Sequence, residues 1–212
     1  LMTKVYLWMT LALGITALSA MFVAGNLNLV EAIFGNKVLF WGIIIAQFAI
    51  VVTLSSIIDR LSFLSAGLLF GLYALLNGVI LSSIFLVFDM NVITQAFVAT
   101  AGTFGAMSLI GTFIKQDLSA IGRFCFMALI GLIVATIVNI FWTNDTLYWI
   151  ITYAGVLIFC GLTAYDTQKI RKMMIESSTS ENYEVGMKLA LLGSLTLYLD
   201  FVNMFLYLLR IF

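Results

Sequence analysis

A carboxylate stands in the middle of the last apolar run of the chain. Between Lys188 and Arg210, Asp200 is the only charged residue, and the run is long enough to cross a bilayer, which takes about 20 residues. An ionised side chain at that depth costs a few kcal/mol or more, so a carboxylate inside the membrane is a candidate functional group. Asp200 is therefore predicted to hold a proton or a cation.

A second carboxylate, Asp166, ends the preceding apolar run and is followed closely by the bases Lys169, Arg171 and Lys172. Two interpretations stay open at this point. Asp166 is either an interfacial carboxylate paired with these bases or part of a site that also contains Asp200.

Two carboxylates that meet in a low-dielectric environment cannot both ionise cheaply, so they share a proton. Without that proton they form an oxygen-rich anionic site of the kind that calcium prefers. The chain contains no histidine, so proton sensing near neutral pH would fall to carboxylates. Asp166 is about 5 Å of helix from Lys169, but Asp200 is about 18 Å from Lys188. The two meet only if the spans tilt, or if the last helix starts earlier or dips into the membrane.

The last span carries a polar stripe. Gly193, Thr196, Asp200, Asn203 and Tyr207 recur at spacings of three and four, which places them on one helix face. A polar face on a spanning helix is expected to turn towards partner helices or water. Thr196, Asn203 and Tyr207 are predicted to support the site, although a structural hydrogen-bond cluster would show the same pattern.

Arg60 lies beside Asp59 at the end of the second apolar run. It is either an orienting charge that snorkels to the interface or a group that reaches a carboxylate on another helix.

The composition identifies the elements that must position these residues. Of the 212 residues, 63% are hydrophobic and 9% are charged, whereas a soluble domain has about 25% charged residues. The net charge of zero indicates no nucleic-acid surface. We therefore predict an all-α, polytopic membrane protein that forms a single domain over residues 1–212. Seven runs are long enough to span a bilayer: 5–25, 38–58, 63–88, 91–114, 121–142, 147–168 and 188–211.

The distribution of basic residues predicts the orientation. In a seven-span arrangement, eight lysines and arginines fall on the side of the N-terminus and two on the other side, which predicts a cytoplasmic N-terminus. The first run has no small-residue cleavage site after a short core, so it is interpreted as a retained helix. Short loops and the lack of an endoplasmic reticulum retention signal favour a bacterial cytoplasmic membrane.

Motifs in the last two spans resemble one membrane protein family. The stretch 165–168 reads Tyr-Asp-Thr-Gln, 197–203 reads Leu-Tyr-Leu-Asp-Phe-Val-Asn, and Leu-Leu-Arg follows at 208–210. These stretches closely resemble the Bax inhibitor-1 family, also called the transmembrane Bax inhibitor motif family. The stretches 117–119 and 126–132 are similar to its bacterial members.

The resemblance implies a seven-helix bundle with the last helix central and a function as a pH-sensitive calcium leak. It also implies that a hydrogen-bonded aspartate pair on the sixth and seventh helices senses protons, and the matching positions are Asp166 and Asp200. A basic residue near the end of the second helix would latch the sixth-helix aspartate, and Arg60 is the counterpart. Calcium would be the permeant ion, held transiently by the two aspartates, with no tightly bound cofactor.

Two other function classes are alternatives to the leak. A non-conducting regulator that binds a membrane protease or another partner is compatible with the short loops, and some bacterial relatives are linked to control of a membrane-bound protease. An intramembrane aspartyl protease is disfavoured because no Gly-x-Gly precedes Asp200 and the chain has no proline. Without histidine, metalloprotease and serine–histidine chemistry are excluded in their usual forms, so the protein is not expected to be an enzyme.

Overall fold

The computed structural model describes residues 1–179 and 182–212. These residues are helical almost throughout and contain no β-strand. The helices are α1 (Met2–Ala24), α2 (Leu27–Phe34), α3 (Lys37–Ile57, continued by a 3₁₀ turn Ile58–Arg60), α4 (Phe63–Leu81), α5 (Ile84–Val87), α6 (Met90–Phe113), α7 (Ser119–Phe141), α8 (Asp145–Ser178) and α9 (Tyr183–Ile211).

Seven helical segments of the described residues are long and apolar enough to cross a membrane. They are α1, α3 with its 3₁₀ turn, α4 with α5, α6, α7, α8 and α9. The predicted class, an all-α polytopic membrane protein with seven spans, is confirmed.

Polar side chains fix where several helices begin. The side chain of Asn26 accepts a hydrogen bond from a backbone N–H at the start of α2, Asn36 accepts two at the start of α3, and Ser62 accepts one at the start of α4. Each satisfies an N–H that has no partner within its helix.

The helix ends differ from the sequence-based spans in two places. Between the predicted spans 147–168 and 188–211, α8 continues to Ser178 and α9 already starts at Tyr183. The charged residues there end the apolar run without ending the helix, because lysine, arginine, methionine and glutamate are good helix formers. In the same way, the polar link between the first two spans contains the short helix α2.

The described residues group into two compact units. The first unit comprises residues 1–90 and 173–198, and the second comprises 91–172 and 199–212. The helix α9 contributes to both. Its most apolar stretch is 61% buried, against at most 44% for the other spans. The central position of the last helix stays a prediction. The single domain over residues 1–212 stays a prediction.

In the first unit, α1 packs closely against α4. A Cβ atom on Gly78 would collide with the backbone oxygen of Thr16 and with the side chain of Ser19, so only glycine permits this approach. Thr16 is also tied to α9, because its hydroxyl lies 2.6 Å from the hydroxyl of the fully buried Tyr198. That hydroxyl in turn accepts from the amide of Asn77 at 2.8 Å.

In the second unit, α8 packs against α6 and α7 at positions without a side chain. A Cβ atom on Gly111 of α6 would collide with the backbone of Ala164, and one on Gly122 of α7 would lie 2.5 Å from the ring of Tyr165. Both contacts involve the residues immediately before Asp166, so close helix packing fixes where this carboxylate lies in its unit.

Candidate functional site

The carboxyls of Asp166 and Asp200 meet in the second unit. Asp200 is only 5% exposed, and its side chain interacts with that of Asp166 through a hydrogen bond. An ionised carboxylate can only accept, so a hydrogen bond between two carboxyls requires a proton on one of them. Two carboxyls in this arrangement can share a proton, and proton sharing by Asp166 and Asp200 stays a prediction.

One carboxyl oxygen of Asp200 is buried without a hydrogen-bond donor facing it. Among the described residues, the Oδ2 atom of Asp200 is the one buried side-chain polar atom without a hydrogen-bond partner. A buried acceptor without a partner is unfavourable by about 1–3 kcal/mol. A proton, a cation or a water molecule at this oxygen would remove that cost.

Apolar side chains enclose this part of α9. The ring of Phe201 is buried and lies 5.3 Å from that of Phe104 and 5.7 Å from that of Phe97, between ring centroids. Because Asp200 is buried, the two carboxyls interact more strongly than they would in water.

Most of the bases that follow Asp166 contact groups other than its carboxyl. Arg171 donates to the backbone oxygen of Thr112 at 3.0 Å, and Lys172 pairs with Asp117 at 3.5 Å. Lys169, one turn after Asp166, acts on it by charge. Among the described residues no ion pair includes Asp166, so its contact is with Asp200 rather than with these bases.

The helix lengths account for part of the offset between the two aspartates. Asp166 lies about 18 Å before the end of α8 at Ser178, and Asp200 lies about 25 Å after the start of α9 at Tyr183. The difference between these two lengths is roughly half of the difference expected from the apolar runs, because α8 and α9 both extend beyond those runs. An earlier start of the last helix was one of the conditions under which the two could meet.

The predicted supporting residues use their side chains locally. Thr196 donates to the carbonyl of Leu192, and Asn203 donates to that of Leu199, in each case on their own helix. Tyr207 stacks on another ring at a centroid distance of 5.9 Å. Support of the pair by Thr196, Asn203 and Tyr207 stays a prediction.

Arg60 ends the 3₁₀ turn that follows α3 and is exposed. It belongs to the first unit, whereas the aspartates belong to the second. Nearby, the carbonyl of Asp59 accepts from Lys188 of α9 at 3.5 Å. Among the described residues Arg60 forms no ion pair, and its role as a latch stays a prediction.

One residue beside the pair was not singled out from the sequence. The amide of Gln168 accepts from the backbone N–H of Leu118 at 2.9 Å and donates to the backbone oxygen of Gln116 at 2.8 Å. Its position two residues after Asp166 was the available signal, but the backbone partners about 50 residues earlier were not visible in the sequence.

The loop between α6 and α7 contains a further carboxylate, Asp117, which is separate from the Asp166–Asp200 pair. The hydroxyl and the backbone N–H of Ser119 donate to Asp117 at 2.7 and 3.1 Å. These hydrogen bonds, together with the charge of Lys172, hold the pKa of Asp117 below its ordinary value. Asp117 is exposed, which distinguishes it from the buried Asp200.

Among the described residues, no three histidine, cysteine, aspartate or glutamate side chains come together as a metal cluster would require. Transient binding of calcium by Asp166 and Asp200 stays a prediction.

Comparison with known proteins identifies the family. Over residues 1–212 the chain matches the family described as "Inhibitor of apoptosis-promoting Bax1". The chain belongs to the Bax inhibitor family. The resemblance seen in the last two spans is thus confirmed, and it extends over the whole chain.

Two relatives illustrate the reach of the Bax inhibitor family in bacteria. "Inner membrane protein YbhL" of Escherichia coli strain K12 is 48% identical over 211 residues, which cover 100% of this chain and 90% of YbhL. An "Uncharacterized protein" of Borreliella burgdorferi is 40% identical over 209 residues, which cover 99% of this chain and 89% of that protein.

Proposed function

We propose that this Bax inhibitor family member is a pH-sensitive calcium leak channel whose gate is the Asp166–Asp200 pair. The observation that carries the proposal is the hydrogen bond between the half-buried carboxyl of Asp166 and the buried carboxyl of Asp200, with the Oδ2 atom of Asp200 without a partner among the described residues. An acidic pair of this kind responds to protons and, once deprotonated, offers oxygen ligands to a hard cation.

The mechanism follows from the charge of the pair. With a shared proton the carboxyls attract each other and hold α8 against the second half of α9. Loss of that proton leaves two negative charges in a low-dielectric environment, where they repel each other strongly. The helices then separate at this point, and the two carboxylates can replace part of the hydration shell of a passing calcium ion.

The proposal also covers the orientation of the channel, its membrane, its latch and its permeant ion. The excess of basic residues on one side supports a cytoplasmic N-terminus, and the relative YbhL is named an inner membrane protein. Arg60 is proposed as the latch that stabilises one state of the gate by approaching the carboxyl of Asp166. Calcium is the permeant ion, with no tightly bound cofactor, and no catalytic chemistry is proposed.

The test is calcium entry into dye-loaded liposomes that contain the pure protein, scanned from about pH 5 to 8. We expect a pH-dependent flux that Asp166→Asn and Asp200→Asn each flatten. Asp145→Asn is the matched control, because Asp145 is exposed at the start of α8 and its loss should leave the profile unchanged.

Two outcomes would overturn the proposal. If the aspartate variants kept the wild-type pH profile, the pair would not be the gate. If the wild-type protein gave no flux above empty liposomes at any pH, the leak itself would be wrong. A non-conducting regulator would then be the better account, and a co-purifying membrane protease or other partner would be sought.

A further inference from the structure

The amide of Gln168 joins α8 to the connection that precedes α7. Gln168 is 7% exposed. Its Oε1 accepts from the N–H of Leu118 at 2.9 Å, and its Nε2 donates to the carbonyl of Gln116 at 2.8 Å. Only a side-chain amide places a donor and an acceptor side by side without charge, so the residue type matches its two backbone partners.

Two further residues of α8 bind the same stretch, which we call the 112–118 segment. Arg171 donates to the carbonyl of Thr112 at 3.0 Å, where a cation is favourable because this carbonyl lies at the C-terminal end of α6. Lys172 pairs with Asp117 at 3.5 Å. Gln168, Arg171 and Lys172 are spaced by three and four residues, so one face of α8 holds the 112–118 segment.

Contacts of Ala164 and Thr167, on either side of Asp166 in the sequence, complete the attachment. The backbone of Ala164 lies against Gly111 of α6, and the hydroxyl of Thr167 donates to that of Ser108, also on α6, at 3.5 Å. The positions two before, one after and two after Asp166 are therefore all tied to α6 or to the segment that follows it. Little freedom remains for α8 to slide or turn at Asp166.

Two groups act on the Asp166 carboxyl, Asp200 of α9 through a hydrogen bond and Lys169 of α8 through its charge. The thiol of Cys125 on α7 also faces Asp166 and feels the charge of its carboxylate. The 112–118 segment supplies none of them, so any effect of Gln168 on Asp166 must come through position and not through charge.

We propose that Gln168 is a positioning residue, which sets the place of Asp166 opposite Asp200 and transmits movements of the 112–118 segment to the carboxyl pair. Its importance for a channel rests on the proposed function. The claim that loss of the Gln168 hydrogen bonds loosens the Asp166–Asp200 pair does not depend on the proposed function.

The experiment compares Gln168→Met with Gln116→Met. Methionine has nearly the shape of glutamine but cannot make these hydrogen bonds. Gln116 is exposed and contributes only its backbone carbonyl, so it is the matched control. In nanodiscs, amide hydrogen exchange of the 112–118 segment should be about five- to tenfold faster in Gln168→Met, since one hydrogen bond is worth about 1 kcal/mol. It should be unchanged in Gln116→Met.

The second readout follows the carboxyl pair directly. The infrared band of the protonated carboxyl, assigned by its loss in Asp166→Asn, is titrated in each variant. In Gln168→Met the pair should release its proton about half a pH unit or more below the wild-type protein, because separated carboxyls share a proton less well. If Gln168→Met does not fold, Gln168→Asn is used, since its shorter amide cannot reach both backbone atoms.

The outcomes separate the two proposals. Wild-type titration and exchange in Gln168→Met would overturn the positioning role, even if the channel conducts. Absence of calcium flux from the wild-type protein would overturn the leak, while a shifted infrared titration in Gln168→Met would still establish the positioning role. Equal shifts in Gln168→Met and Gln116→Met would show a non-specific effect and also overturn it.

Discussion

Replacing Gly111 by alanine should force α6 and α8 apart beside the carboxyl pair. The added Cβ atom would lie 3.0 Å from the backbone carbon and 3.1 Å from the Cα atom of Ala164, and closer still to its carbonyl oxygen. Ordinary van der Waals contact begins near 3.4 Å, so the helices must separate by several tenths of an ångström to about 1 Å. The obstacle is backbone, which cannot rotate away as a side chain can.

The magnitude is the difference between two effects. Inserting a methyl group into a packed contact costs about 1–3 kcal/mol, whereas alanine is preferred over glycine in a helix by up to about 1 kcal/mol. Gly111→Ala should therefore destabilise the protein by about 1–2 kcal/mol. Gly105→Ala is the control on the same helix, because no atom lies within 4 Å of its added Cβ. Gly105→Ala should leave the unfolding free energy unchanged or raise it slightly.

Unfolding in mixed micelles, followed by the fluorescence of the four tryptophans, measures the difference between Gly111→Ala and Gly105→Ala. The expected gap is about 2 kcal/mol. The same two variants are then compared in the calcium-entry assay, where only Gly111→Ala should alter the pH profile. Equal unfolding free energies would refute the close approach of α6 and α8.

Two further predictions concern other parts of the chain. Tyr198→Phe removes a hydroxyl with two side-chain hydrogen bonds, at 2.6 and 2.8 Å. This change should lower the unfolding free energy by about 1–2 kcal/mol. The control Tyr153→Phe, on an exposed ring, should leave the unfolding free energy unchanged. Ser119→Ala should raise the pKa of Asp117 back towards its ordinary value, as carbon-13 NMR would detect. Because the folded-state pKa of Asp117 is lowered, its contribution to stability is present above the unfolded value of about 4 and is lost as the pH falls. Stability of the Ser119→Ala variant should therefore depend less on pH in that acidic range, and an unchanged dependence would contradict the assignment.

The membrane class and the number of spans could be predicted from the sequence because hydropathy is a local, additive property. The two aspartates could also be singled out, since a charge within an apolar run stands out without any structure. The ends of α8 and α9 could not be predicted from hydropathy, because the charged residues within 169–178 and 183–187 end the apolar runs but still belong to α8 and α9.

By itself, the sequence determined that this is a seven-span member of its family with acidic groups in its last two apolar runs. Only the tertiary structure decided that the carboxyls of Asp166 and Asp200 meet, that the bases after Asp166 are engaged with the 112–118 segment, and that Gln168 holds that segment. These contacts join residues that are about 30 to 60 positions apart in the chain. Their formation depends on the depth and rotation of packed helices, which local patterns do not encode.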